Sequence, residues 1–357
     1  MKKFLNTLVA FVLGVFVAQT MNLQLFADLN TQTSTSAGLT DEIKTHYHQT
    51  LINALEPALV HDQFGQTIVI PAHNGKKVEV RFFDPLGKAL TPLQEGITPA
   101  GQNLVMHTVT TELYQYGGYV TLSDVVSVIA KDPLVVQATQ AIGSQAGRTL
   151  DTVTRDVINA GTQVMYAPSI NGGVETEVNQ RGNLDKTCLL TPNLIARCQA
   201  LLEGNLAETI DGSYVGIIHP HVKYDLTQNK DFEEIHKYSA VTQLFKGEIG
   251  MLGNTRFVVS TEAKIVGGSN KPGEGGKGDL AVYCTMILGK DAYATTKIES
   301  MNLEHIFKPL GSAGTGDALN QRATVGWKAM KGAVRLRETS MVRIESCSAF
   351  SNTAQAN

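Results

Sequence analysis

The sequence predicts a mixed α+β fold with one long projecting loop and one unusually long helix. Two β-rich runs enclose the segment Arg81–Leu104, a connection longer than compact domains ordinarily use. Apolar residues recur at every third or fourth position from Val135 to Val157, which indicates a helix of about 28 residues, roughly 40 Å long. From Thr191 onward, short helical patterns alternate with apolar strands, which is typical of a compact α/β region.

Composition narrows the class of protein. The chain has 357 residues, of which 43% are hydrophobic and 18% charged, enough for one large or two ordinary domains. A net charge of −3 without a block of Lys and Arg argues against sequence-specific nucleic-acid recognition. The four cysteines form no C-x-x-C pair, so we expect small buried residues, as suits a reducing cytoplasm. They are Cys188, Cys198, Cys284 and Cys347.

The first residues, MKKFLNTLVAFVLGVFVAQT, have the layout of a secretory signal, with two lysines before an apolar run. That run is short for a bilayer span, and Phe16 occupies a position where a cleavage site needs a small residue. Two interpretations follow: an exported chain, or a chain whose translation starts at Met21. A polar arm over residues 28–39 and a helix from Thr40 to Pro57 are predicted next.

The following elements are predicted strands. Asn74 and Gly75 lie between QTIVIP and KKVEVRF and form a strong hairpin signal, so we expect those two runs to pair. The run NLVMHTVTTELYQYGGYVTLSDVV predicts a strand that pairs across the long loop, which then projects from the hairpin. The loop itself carries five large aliphatic side chains, which a solvated loop does not need. They are Leu86, Leu90, Leu93, Ile97 and Leu104.

The long helix is predicted to begin at Asp132 and Pro133, because Asp caps helices and Pro fits the first turn. Its apolar stripe defines a predicted core face. The residues we assign to that face are Val135, Ile142, Leu150, Val153 and Val157.

The patterns offer little for catalysis or cofactor binding. The Gly-rich segment Gly267–Asp279 lacks the spacing of a phosphate-binding loop. His219 and His221 could contact one metal ion, but no third ligand lies at a suitable spacing, so we expect rings that bond backbone groups. Neither a G-x-S-x-G nor an H-E-x-x-H motif occurs. The sequence therefore predicts a protein that is not an enzyme, with no catalytic, cofactor or metal site.

Eight segments in order carry a resemblance to a known family. They are FGQTIVIP, PLGKALTPLQEGITP, YQYGGYVTLSD, GSQAGRTLDTVTRDVINAGTQVMYA, YVGIIHPHVKYDL, KGEIGMLGNTRFVVS, GKDAYA and NQRATVGWK. Over roughly residues 21–345, the chain resembles the major capsid proteins of tailed bacteriophages with the Hong Kong ninety-seven type of fold. It is similar to the branch named after the major capsid protein of a short-tailed coliphage. Because such proteins assemble inside the host cell, we favour Met21 as the working start.

The resemblance implies an N-terminal arm, an extended hairpin loop, a long spine helix in a peripheral domain and a compact axial α/β domain. We accordingly divide the chain into a leader or mis-assigned start (1–20), arm and first helix (21–60), peripheral strands with the extended loop (61–130), spine helix with its following loop (131–185), axial domain (186–290), and returning peripheral strands with the tail (291–357).

The implied function is a structural one, self-assembly through pentamers and hexamers into an icosahedral shell around the phage genome. The implied partners are other copies of the chain, a portal, scaffold or decoration proteins, and packaged double-stranded DNA bound without sequence specificity, with no membrane. The implied location is the virion capsid, assembled in the host cytoplasm.

The extended loop becomes the predicted contact with a neighbouring subunit, although a loop folded back on its own domain is an alternative. The assigned loop residues are Leu86, Lys88, Leu90, Leu93, Glu95, Ile97 and Leu104. An encapsulin-like nanocompartment of the same fold and an exported enzyme or binding protein are the other candidate functions.

Overall fold

Two large β-sheets, two two-stranded sheets and a long helix are the main elements in the part of the chain that the computed structural model describes. That part comprises residues 59–71, 75–84, 86–93, 95–98, 100–129, 134–229, 248–267, 280–298, 303–312, 314–353 and 355–357. The leader, the polar arm, the predicted helix from Thr40 to Pro57 and most of the Gly267–Asp279 loop lie outside the described residues.

The strands are β1 (Gln66–Ile70), β2 (Lys77–Phe83), β3 (Met106–Glu112), β4 (Tyr114–Ser123), β5 (Val164–Tyr166), β6 (Ser169–Asn171), β7 (Val174–Thr176), β8 (Tyr214–Ile218), β9 (Glu248–Leu252), β10 (Thr255–Val259), β11 (Ile265–Val266), β12 (Val282–Leu288), β13 (Tyr293–Ile298), β14 (Leu303–Lys308), β15 (Arg322–Arg335) and β16 (Met341–Ser346). The α-helices are α1 (Asp124–Ile129), α2 (Leu134–Asn159), α3 (Pro192–Gly204) and α4 (Pro220–Gln228). Short 3₁₀ turns occur at Arg181–Asn183, Gly314–Asp317 and Glu338–Ser340.

The first sheet has the strand order β1-β13-β15-β14, and β4 also pairs with β15. Strand β15 is 14 residues long and organises this sheet, because β14 and β4 pair with its first part and β13 with its last part. These pairings are antiparallel, whereas β1 runs parallel to β13.

Helix α2 is the predicted long helix, with 26 residues and a length of about 39 Å. Its first half packs against one face of the first sheet through Ile142, Ala146 and Leu150, which contact Val325 and Trp327 in one apolar cluster. The three-or-four-residue spacing of the apolar positions places them on one side of the helix, which explains this packing.

The second half of α2 buries a different face from the one that its valines predict. Asp151, Thr154 and Arg155 are buried there, whereas Val153 and Val157 are half-buried. The apolar stripe in the sequence does not predict this burial, because the buried polar side chains of α2 have partners from distant parts of the chain. Of the remaining predicted core-face residues, Ile142 and Leu150 are buried and Val135 is half-buried.

Two arginines from strands close the C-terminal end of α2. Arg335 Nη1 donates to the carbonyl oxygen of Val157 at 3.2 Å, and Arg343 Nη1 donates to that of Asn159. The last carbonyls of a helix lack partners within the helix and carry partial negative charge. A cationic donor therefore supplies a missing hydrogen bond and also stabilises the negative end of the helix.

The second sheet has the order β5-β16-β12-β8-β10-β9, with β11 also paired to β12. Every residue of β8 and β12 is buried, because both faces of the sheet are covered. Tyr214 and Ile218 of β8 face a core that includes residues of α3 and α4, whereas Val215 and Ile217 face a core that includes Ile158 of α2. The continuous apolar runs in the sequence are the signature of strands buried on both sides.

The predicted pairing across Asn74 and Gly75 is wrong. Strand β1 pairs in parallel with β13, and β2 pairs with β3 in a separate two-stranded sheet. A turn signal indicates only the local backbone preference, whereas the strand that pairs with β1 lies more than two hundred residues away in the sequence. The pairing of β2 with β3 across the long loop is as predicted.

The four cysteines are buried, as the sequence predicted, and all are free thiols. Burial raises the pKa of Cys188 to about 11 and the pKa values of Cys198, Cys284 and Cys347 to about 12. They therefore behave as small apolar core residues. Among the described helices, none combines the length and apolar character that crossing a membrane requires.

Candidate assembly surfaces

The base of the long hairpin is fixed to the first sheet. Val80 of β2 and Val109 of β3 pack against an apolar cluster that includes Val334 and Leu336. The Thr111 hydroxyl donates to the carbonyl oxygen of Ala333 at 3.2 Å. The hairpin strands are therefore held in place on the first sheet, and the loop extends from them.

Few hydrogen bonds join the described residues of the loop to one another, and most of these bonds lie near its base. The backbone N–H of Asp84 donates to the carbonyl of Val105 at 3.1 Å, and His107 Nε2 lies 2.7 Å from Asp84 Oδ2. Farther out, the side chain of Gln102 donates to the carbonyl of Gly87 at 3.1 Å. Between Leu86 and Leu104, the described residues form no strand. The loop's conformation is thus weakly determined by its own subunit.

The aliphatic side chains of this loop are exposed. Their exposed fractions run from 53% at Leu86 to 82% at Leu90, and Lys88 and Glu95 are exposed as well. The alternative in which the loop packs on its own domain does not agree with this exposure. Such a set of exposed apolar residues on one projecting segment is typical of a surface that binds another protein. The set comprises Leu86, Leu90, Leu93, Ile97 and Leu104.

A buried polar cluster fixes the segment that leads into β1. The backbone N–H of His61 donates to Asp151 Oδ1 at 2.7 Å, and His61 Nδ1 donates to Asp151 Oδ2 at 2.6 Å. Thr154 donates to Asp62 Oδ1 at 2.6 Å, and Lys331 of β15 pairs with Asp62 Oδ2. We call His61, Asp62, Asp151, Thr154 and Lys331 the anchor cluster.

The anchor cluster joins three elements at one point, namely the segment before β1, helix α2 and strand β15. Tyr293 of β13 adds a fourth, because its hydroxyl donates to the carbonyl of His61. Burial raises the pKa of Tyr293, so this hydroxyl remains a neutral donor. Sequence patterns missed this cluster, since its polar residues are single and far apart along the chain.

The two histidines near the second sheet make backbone and tyrosine contacts. His219 caps α4, where its Nδ1 accepts from the backbone N–H of His221 at 3.2 Å. His221 Nδ1 lies 2.7 Å from the Tyr283 hydroxyl. Burial, with a smaller contribution from His221, lowers the pKa of His219 to about 4. Within the described residues, no three His, Cys, Asp or Glu side chains come together as a metal site would require.

Comparison with known proteins identifies the family. The sequence profile of the family described as phage capsid protein matches residues 108–344, more than half of the chain. No curated protein matched the chain.

Solved capsid structures share the fold at low sequence identity. The capsid of Ralstonia phage GP4 has a TM-score of 0.63 and 12% identity, covering 81% of this chain and 88% of that one. The capsid of cyanophage P-SCSP1u has a TM-score of 0.58 and 15% identity, covering 80% and 87%. The capsid of Helicobacter pylori bacteriophage KHP30 has a TM-score of 0.53 and 10% identity, covering 79% and 88%. The chain therefore belongs to the phage capsid protein family, and it is a structural shell protein of the virion that associates with copies of itself.

Proposed function

We propose that this chain assembles through pentamers and hexamers into an icosahedral shell that encloses a phage genome. The observation that carries the proposal is the exposed apolar loop on a rigid hairpin of a capsid-family subunit. Head-to-tail contacts between identical subunits close into rings when the rotation between them permits. A projecting loop that reaches the next subunit is a contact of this kind.

The energetics favour a loop that becomes ordered only on a neighbour. Burying five aliphatic side chains contributes a gross figure near 10 kcal/mol, at about 1.5–3 kcal/mol each. Ordering a backbone residue costs about 1–2 kcal/mol, so over a loop of this length the cost exceeds the gain from these five side chains, and further contacts on the neighbour must supply the rest. The assigned contact residues include Lys88 and Glu95, whose exposed charges flank the leucines and would set the register on the neighbour.

The remaining parts of the subunit have supporting roles in this proposal. Helix α2 acts as a spine, and its buried side chains, which include Ile142 and Leu150, hold the subunit together rather than contacting a neighbour. The domain boundaries given above divide the subunit into a peripheral part, which contains the first sheet, and an axial part built mainly on the second sheet.

Other partners follow from the function of a shell. A portal would occupy one vertex, and scaffold or decoration proteins would bind to the shell. Packaged double-stranded DNA would touch the inner surface weakly and without sequence specificity, because the net charge of −3 gives no general attraction to phosphate. Assembly would take place in the host cytoplasm. The family match favours this function over a nanocompartment or an exported enzyme.

The test replaces two exposed loop leucines with charges, as Leu90→Asp and Leu93→Asp together. Neither side chain packs within the subunit, so folding should be unchanged while assembly is lost. The matched control is Val174→Asp, another exposed apolar position, on β7 and outside the loop. Sedimentation and negative-stain microscopy should show shells for the wild type and the control, and single subunits for the loop variant. Normal shells from the loop variant would contradict the proposal.

A further inference from the structure

The residues that follow β16 run along the second sheet and reach the edge of β11. The described residues of this tail are 347–353 and 355–357. We call residues 347–352 the root and residues 355–357 the strap. The root and the strap are bound to the rest of the subunit in different ways.

The root is bound to buried groups of the second sheet. The hydroxyl of Tyr283 donates to the carbonyl of Ser351 at 3.0 Å, and the N–H of Ala281 donates to the carbonyl of Asn352 at 2.8 Å. Tyr283, Ala281 and Cys347, the first residue of the root, are all buried. Because an unpaired polar group in such a place is costly, the root opens only together with the surrounding sheet.

The strap is exposed and is bound through Asn357. Asn357 Oδ1 accepts from the N–H of Ile265 at 2.9 Å, and Asn357 Nδ2 donates to the carbonyl of Ala263 at 3.1 Å. The carbonyl of Lys264, between them, instead accepts from the N–H of Cys284 on β12 at 2.9 Å. Backbone groups of alternate residues point to opposite sides, so Asn357 lies at the free edge of β11 and replaces a neighbouring strand there.

Lys264 connects the strap to helix α2. Lys264 Nζ donates to the backbone oxygen of Asn357 at 2.7 Å and to Asp156 Oδ1 at 3.1 Å. Asp156 belongs to α2, as does Arg155, whose Nη1 donates to the carbonyl of Glu262 at 2.8 Å. The connection between β10 and β11 is therefore held both by α2 and by the strap.

We propose that the strap docks reversibly on β11 through Asn357 and undocks while the root remains bound. The docked strap fixes the connection between β10 and β11 against α2. Undocking removes one of the two partners of Lys264 and uncovers backbone groups of Ala263 and Ile265. Exposed segments held by few hydrogen bonds are the first to open in a folded protein.

The docked strap also protects the subunit. An uncovered strand edge is a template for pairing with another chain, and Asn357 occupies that edge at β11. The proposal concerns the single subunit, so it does not depend on the proposed function.

The first test measures amide hydrogen exchange in the unassembled full-length subunit. Asn357→Ala removes the acceptor, so exchange of the Ile265 N–H should become about tenfold faster, while that of the Ala281 N–H, bound to the root, should change by less than about twofold. Asn357→Asp keeps an acceptor oxygen and should restore slow exchange at Ile265. The matched control is Gln355→Ala, at another exposed residue of the strap.

Three results of this experiment would overturn the proposal. They are wild-type exchange at Ile265 in Asn357→Ala, equal acceleration at Ala281, and the same exchange in Asn357→Asp as in Asn357→Ala.

A spin label tests the movement of the strap itself. The four native cysteines are buried, so a nitroxide can be attached selectively at Gln355→Cys. Its electron paramagnetic resonance spectrum should show restricted motion, and adding Asn357→Ala should shift the line shape toward free rotation. A label at Val174→Cys, on β7, should give the same spectrum with and without Asn357→Ala. An unchanged line shape at Gln355→Cys would contradict a strap docked by Asn357.

Discussion

Replacing Asp151 with Asn tests whether the anchor cluster stabilises the subunit. Asp151 is fully buried and accepts two hydrogen bonds from His61, at 2.7 and 2.6 Å. A hydrogen bond to a charged group contributes about 1.5–3 kcal/mol, so the carboxylate contributes about 3–6 kcal/mol in gross terms. The amide oxygen that replaces it keeps a neutral bond to the His61 N–H, worth about 1 kcal/mol. We therefore expect Asp151→Asn to lower the free energy of unfolding by about 3 kcal/mol.

The assay is equilibrium unfolding of the unassembled subunit in urea at pH 7. The single tryptophan, Trp327, is a suitable probe because it is buried between the first sheet and α2. The matched control is Glu304→Gln on β14, where a carboxylate at the surface pairs with Lys328 of β15. Exposed pairs contribute at most about 1 kcal/mol. If both variants shift the urea midpoint equally at unchanged slope, the anchor cluster does not stabilise the fold as argued.

Three further predictions concern the second sheet and its surroundings. Gly216→Ala should lower the free energy of unfolding by about 1–3 kcal/mol, because the added methyl would lie 2.6 Å from the Phe257 ring, whereas Gly182→Ala meets open space and should be nearly neutral in the same urea titration. His219 has a folded pKa near 4, below its ordinary 6.5, so the unfolded chain binds the extra proton first and stability should fall as pH drops from about 6.5 to 4, by up to about 3 kcal/mol. His219→Asn, which keeps a capping oxygen, should flatten that profile, and an unchanged profile would refute the assignment. The native cysteines should react with a thiol reagent only as fast as the protein unfolds, and prompt labelling at pH 8 would contradict their burial.

Much of the fold could be predicted because its signals are local. The apolar runs at 214–218 and 282–288 require burial on both faces, and both are fully buried strands. The helix Pro192–Gly204 lies in the region after Thr191 where the sequence predicts short helices, and Thr191 caps it. The sequence predicts that the loop leucines have no partner in their own domain, and their exposure agrees with that prediction.

The anchor cluster could not be predicted in this way. His61 and Asp151 are separated by 90 residues, and neither belongs to a recognisable motif. Isolated polar residues at such spacing are interpreted as surface residues until a partner is known.

The sequence by itself determined which segments are helix, strand or projecting loop, because side-chain periodicity and capping act within a few residues. Only the tertiary structure decided that β1 joins β13 rather than β2, and that α2 buries Asp151 and Thr154 while Val153 and Val157 are only half-buried. The physical reason is that strand pairs and buried polar pairs form between groups that are far apart in the sequence. No local pattern of residues specifies such contacts.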